Sequence, residues 1–240
     1  MIASEAHLDG RSRAGRLLLA LAETFAVAAA YIAISLVAVG TLDLSFVFPE
    51  VWGPAAGSVG SGFLIGVLVQ VSLVLVGAYL LGLIDLRKAI GATFSPSPPK
   101  AWSIAVAATA IHLGTIALAI LPHPEQIWEA SSINLVLSGI SAADGWSQEV
   151  LFRGYVLFRL ARGGFPRLAQ IFTSGLLFAA IHIGYVGAGT WGALFPLVGT
   201  FMLGCFFAWA VQIGRGSLKP VVFCHMLIIA VAQPWLALAA

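Results

Sequence analysis

The chain has 240 residues, of which 60% are hydrophobic and only 9% charged, with a net charge of +2 and a mean hydropathy of +1.00. A water-soluble domain carries about a quarter charged residues, so this composition excludes an ordinary soluble protein. The small positive charge comes without a basic patch interleaved with aromatics, which excludes a nucleic-acid binder.

In chain order, the apolar residues gather into seven runs that predict an all-α, polytopic membrane protein with about seven transmembrane helices. The spans are expected near 15–40, 60–84, 101–121, within 132–161, then 168–187, 190–213 and 217–239. Runs of this length suit helices, which satisfy every backbone group within one segment, and not barrel strands, which are shorter and alternate. The first run is too long for the core of a signal peptide and lacks a small-residue cleavage site, so the mature chain is expected to begin near Met1. Ser95-Pro-Ser-Pro-Pro99 reads as a turn. Cys205 and Cys224 fall inside spans and read as buried free thiols.

The cations order the topology. Arg11, Arg13 and Arg16 precede span 1; Arg87, Lys88 and Lys100 lie between spans 2 and 3; Arg159, Arg162 and Arg167 between spans 4 and 5; Arg215 and Lys219 between spans 6 and 7. That is 11 of the 12 Lys and Arg residues on one side, while the loops 41–59, 122–131 and 188–190 hold none. The positive-inside rule then places the N-terminus in the cytoplasm and the C-terminus outside. The Ala- and Gly-rich composition points to a bacterial inner membrane.

Ionisable groups at depth are costly in hydrocarbon and are functional candidates. Seven stand inside the runs: Glu23, His112, Asp144, Glu149, Arg153, His182 and His225. Glu149 and Arg153 are four residues apart and share a helix face. A structural ion pair would account for them alone; two histidines on other spans, His182 and His225, favour a shared site. At about 1.5 Å per residue, the three depths are roughly 18, 21 and 13 Å. His112 has no motif around it and reads as structural. Glu23 is near enough to a helix end to reach the interface. Asp144 lies four residues before Gln148 on the same face and shares the cavity. Three chemistries suit such a cluster: general acid–base catalysis with an oxyanion donor; a metal site with Glu149, His182, His225 and water, a normal zinc set although no HExxH is present; or a proton relay.

The segments QEVLFRG (148–154), FAAIH (178–182) and GSLKPVVFCH (216–225) resemble, in order and spacing, the three motifs of the CAAX-protease and bacteriocin-processing family, also called ABI. These are glutamate-dependent intramembrane endopeptidases, with the pattern Glu-Glu-x-x-x-Arg, Phe-x-x-x-His, His-x-x-x-Asn. The likeness covers roughly 135–232, so the chain divides into N-terminal spans 1–3 (residues 1–131) and a family-like core of spans 4–7 (132–240) that carries the catalytic centre. The resemblance implies water-mediated peptide cleavage without a cofactor, zinc being the alternative. It puts Gln148 at the water-activating first acid and Glu149 and Arg153 at the organising acid and arginine. Phe178 and His182 fall at the second motif, and His225 at the oxyanion histidine.

Two positions depart. Gln148 stands where the catalytic glutamate is expected and cannot take a proton, which typically costs about 10²–10⁴-fold. Ile229 stands where the asparagine is expected, and loss of one oxyanion donor costs roughly 10²–10³-fold. Three readings of Gln148 remain open: an introduced replacement that traps an otherwise active enzyme, a natural binder that does not cut, or transfer of the base role to Glu149 or Asp144. The expected partners are the bilayer and a membrane-associated protein or peptide, cut near the membrane. The rival is a non-catalytic binding or immunity protein on the same fold; a transporter would show two related halves, and no repeat is present.

Overall fold

The computed structural model describes residues 12–41, 67–80, 82–120, 132–182 and 190–239. Among these the chain is all helical, without a strand. In order come α1 (Arg13–Thr41), α2 (Val67–Leu80, its last turn, Val76–Leu80, π-helical), α3 (Ile84–Ala92) and α4 (Pro99–Ile120). Then follow α5 (Ser132–Glu149), a π-helical stretch (Val150–Val156) and α6 (Leu157–Gly163) as one continuous rod. Last are α7 (Arg167–Ala180), α8 (Thr190–Ile213) and α9 (Lys219–Ala239).

The punctuation follows local chemistry. Pro99 opens α4, where its missing N–H is no loss. Gly164, at φ 90°, caps α6 in the left-handed conformation. Gly82, at φ 66°, stands between α2 and α3. The span expected over 60–84 therefore stops at Leu80, and a separate short helix carrying Asp85, Arg87 and Lys88 follows. The span expected over 168–187 is a helix only to Ala180, followed by a turn at 181–182. The loops 41–59 and 122–131 lie outside the described residues except at Thr41, as does 188–189 of the third loop.

Two helical segments are long and apolar enough to cross a membrane, Arg13–Ile34 and Pro99–Leu118, among the described residues. Val67–Leu80 and Arg167–Ala180 are shorter apolar helices, so seven full spans are not recovered among the described residues. The reason is length and polarity: the 14 residues of α7 rise about 21 Å, short of a ~30 Å hydrocarbon core, and the α5–α6 rod carries Asp144, Gln148, Glu149 and Arg153 at its centre.

The polarity of the bundle is inverted relative to a soluble protein. Leu18, Phe94, Leu118, Leu168 and Phe223 are exposed, while Asp144, Glu149 and Arg153 are buried. Exposed apolar surface on this scale suits lipid contact and not water. Inside, α5 packs on α9, α8 on α7 and α4, α9 on α4, α3 on the π stretch, and α1 on α6. The core they enclose centres on Phe152, Phe178 and Phe207, with Val150, Val156, Leu160 and Val211.

Candidate active site

Helical periodicity and a glycine bring the site together. Gly145 on α5 faces the α9 backbone so closely that a Cβ there would lie 2.8 Å from the Met226 nitrogen and 3.0 Å from the His225 carbonyl carbon. Only glycine permits this approach, and it sets His225 beside the next turn of α5. There His225 Nδ1 is 2.7 Å from Glu149 Oε1, both side chains buried. A carboxylate only accepts, so the assigned tautomer has Nδ1–H donating to Glu149, which leaves Nε2 as the ring atom available to a substrate.

Glu149 ends the regular α-helix, and the π stretch starts at the next residue. All seven residues of that stretch are buried, and single π turns recur at functional sites. Arg153 within it folds back on Glu149: its Nη1 lies 2.9 Å from Oε1, with neither side chain exposed. The pair is ionic and not aligned as a hydrogen bond. The guanidinium instead stacks on aromatics, 3.9 Å from the Phe178 ring centre and 5.7 Å from that of Phe207, an arrangement a planar, weakly hydrated cation favours.

Phe178 is the hub of the second motif. Its ring meets His182 edge-on at 4.7 Å and His225 at 5.4 Å, and packs on Phe152 at 5.9 Å. His182 is in the turn after α7, half-buried, with Nδ1 2.7 Å from the Phe178 carbonyl oxygen, to which it donates. Ile229, one turn beyond His225, is buried and offers no hydrogen bond.

The glutamine belongs to a second polar group. Gln148 Nε2 donates to Asp144 Oδ2 at 2.8 Å, Ser147 Oγ donates to Asp144 Oδ1 at 3.3 Å, and Tyr31 of α1 donates to Oδ1 at 3.4 Å. Because Asp144 takes the amide N–H, the amide oxygen Oε1 must face the other way. Gln148 Oε1 and Glu149 Oε2 are both buried and have no hydrogen-bond partner. Each such acceptor is costly in a packed interior unless a water or a substrate N–H meets it.

Of the residues singled out in the sequence, Glu149, Arg153, His225 and Phe178 therefore touch directly, and Asp144 touches Gln148. Glu23 lies apart and binds Arg159 at the basic end of the bundle. Among the described residues no three His, Cys, Asp or Glu side chains are arranged to hold a metal. Cys205 and Cys224 are free thiols, Cys224 buried and Cys205 half-buried. One neighbour of this group was missed. Tyr31, from the first helix, closes the Asp144 side and packs edge-on against Phe152 at 5.9 Å; its signal was a lone tyrosine in the middle of an apolar run. His112, read as structural, is half-buried on α4, where a Cβ at Gly199 of α8 would lie 3.8 Å from its ring.

An all-helical bundle with exposed apolar flanks and a buried acid–arginine–histidine cluster is the framework of a membrane-embedded protein with a polar centre. Residues 128–231 match the family model of the type II CAAX prenyl endopeptidase Rce1-like proteins. This part of the chain, less than half of its length, is similar to the CAAX-protease family, the family its three motifs resemble. Comparison with curated proteins and with solved structures returns no match.

Proposed function

We propose that this chain is an intramembrane endopeptidase of the CAAX type that holds a membrane-associated polypeptide at the Glu149–Arg153–His225 centre, and that Gln148 makes its water-activating step poor. The observation that carries the reading is the buried cluster in which Glu149 Oε1 lies 2.9 Å from Arg153 and 2.7 Å from His225, next to Gln148. In this reading Gln148 and His182 hold the attacking water. Glu149, neutralised by Arg153, orients His225, and His225 presents Nε2 to the scissile carbonyl. Glu149 is an unsuitable substitute base, because its Oε1 already meets both Arg153 and His225. The orientation with the basic end in the cytoplasm is supported by the 11 of 12 cations on one side. The rival, a binder that does not cut, draws on two observations, Gln148 and the buried Ile229.

The test is cleavage of membrane-anchored peptides in liposomes by this chain and by Gln148→Glu, each with and without a chelator. The glutamate variant should cut at least about 10²-fold faster, without chelator sensitivity. If neither protein cuts any peptide while both still retain one, the binder reading replaces this one. Restoring the acid has a structural consequence as well. A glutamate at 148 would put a second carboxylate where Nε2 now lies 2.8 Å from Asp144, and two carboxylates at that distance share a proton.

A further inference from the structure

A second feature lies at the basic end of the bundle, away from the buried centre. A cleft of about 1030 Å³ opens between the turn that precedes α4 and the turn that joins α8 to α9. Four cations line it, Lys88, Lys100, Arg162 and Arg215, against one acid, Asp85. Asp85 is committed to the protein, 2.6 Å from Arg162 and 3.2 Å from Arg159, so the balance of charge in the cleft is positive.

The positive-inside rule would explain cations on this side, but it explains none of the construction. The turns are braced to each other: Ser217 Oγ donates to the Ser95 carbonyl at 2.8 Å, and the Leu218 N–H to the Ala92 carbonyl at 3.0 Å. Ser97 Oγ is buried against Gly214 and has no hydrogen-bond partner among the described residues. Arg215 has φ 56°, the one non-glycine residue with positive φ among those described, and Gly216 follows at φ 91°. The Gly216 N–H donates to the Val211 carbonyl at 2.9 Å, so left-handed Arg215 caps α8 and fixes where its side chain leaves the turn. The positive-inside rule does not require two turns hydrogen-bonded to each other around one cation-lined cavity.

We propose that this cleft binds a phosphate group at the membrane surface, with Lys100 and Arg215 supplying the charge. A phospholipid headgroup and a soluble phosphate share that chemistry. Each cation near an anionic surface contributes on the order of five-fold in affinity, so a cleft with an excess of cations is a selective one.

The experiment uses the full chain in nanodiscs of phosphatidylcholine alone and of phosphatidylcholine with phosphatidylglycerol, and, separately, in phosphatidylcholine with added inorganic phosphate. Thermal unfolding and lipid retention by native mass spectrometry are read together. Phosphatidylglycerol should raise the unfolding temperature and be retained, and Lys100→Gln with Arg215→Asn should reduce retention about 25-fold, two cations' worth. Asparagine tolerates positive φ, so Arg215→Asn keeps the turn while removing the charge. Stabilisation by inorganic phosphate alone, lost in the same variant, assigns the cleft to a soluble ligand and still upholds a phosphate site. Two outcomes overturn the proposal: no selective stabilisation by either probe, or an equal loss when Arg13 and Arg16 are neutralised instead, which would show diffuse surface charge and no site.

Discussion

The molecule contains two networks of acid and arginine, and they behave as opposites. At the basic end, Arg159 ties Glu23 of α1 to Asp85 of α3, and Arg162 adds a second bond to Asp85. Burial opposes charge on the Arg159 guanidinium, but its hydrogen bonds to Glu23 and Asp85 outweigh that and raise its proton affinity. Glu23 is a third exposed and Arg162 likewise, and both acids there have cations to meet. In the centre, Glu149 and Arg153 have no exposure at all, yet Glu149 Oε2, Gln148 Oε1 and Arg153 Nε lack hydrogen-bond partners. The basic-end network is a partly solvated clamp on α1, α3 and α6; the central one is wholly buried and brings an acid, an arginine and a histidine together.

The largest effect should come from cutting the central pair. Arg153→Ala leaves Glu149 as an uncompensated buried charge and should cost about 3–5 kcal/mol, read by chemical unfolding in detergent. Arg153→Lys should recover only part of this, since an ammonium does not reproduce the stack on Phe178. Next is Gly145→Ala, which must push α9 away from α5; about 1–3 kcal/mol is expected, with loss of the His225–Glu149 contact visible in histidine NMR. Third, Gln148→Glu should lose stability at neutral pH through its proximity to Asp144, and Gln148→Glu with Asp144→Asn should regain about 1–2 kcal/mol, one to two units of carboxylate pKa. A double variant no more stable than the single one would show that the two side chains do not meet. Smaller still, Tyr31→Phe removes one long hydrogen bond to Asp144 and should cost about 1 kcal/mol or less. Smallest is Arg159→Gln, about 0.5 kcal/mol, because Glu23 is partly solvated and Asp85 keeps its bond to Arg162. Its effect should shrink as salt rises from 0.05 to about 0.5 M, whereas that of Arg153→Ala should not, because salt screens exposed pairs and not buried ones. Equal salt sensitivity would erase the distinction between the two networks.

Much of the centre could be read in one dimension because it is built from local periodicity. Four-residue spacing puts Glu149 with Arg153 and Asp144 with Gln148, and both contacts occur. The span count was less legible. A hydropathy run does not reveal that Gly82 interrupts it. Tyr31 was invisible as a partner because its contact with Asp144 crosses 113 positions of chain, and the motifs that mark the family begin far beyond it. His182 was expected within a helix and sits in the turn after one, since the end of α7 depends on packing that a run of Phe-Ala-Ala-Ile does not encode.

Composition alone settled that the protein belongs in a bilayer, because 9% charged residues cannot cover a soluble surface. The ordered motifs settled which acids and histidines to watch and where the family pattern is broken, at Gln148 and Ile229. Packing decided the rest. Which oxygen of Glu149 is occupied, which way the Gln148 amide points and which acceptors stay empty depend on helices brought within van der Waals distance by Gly145 and on a tyrosine from the far end of the chain. Those are relations between surfaces, and a linear string of residues carries them only after the surfaces have met.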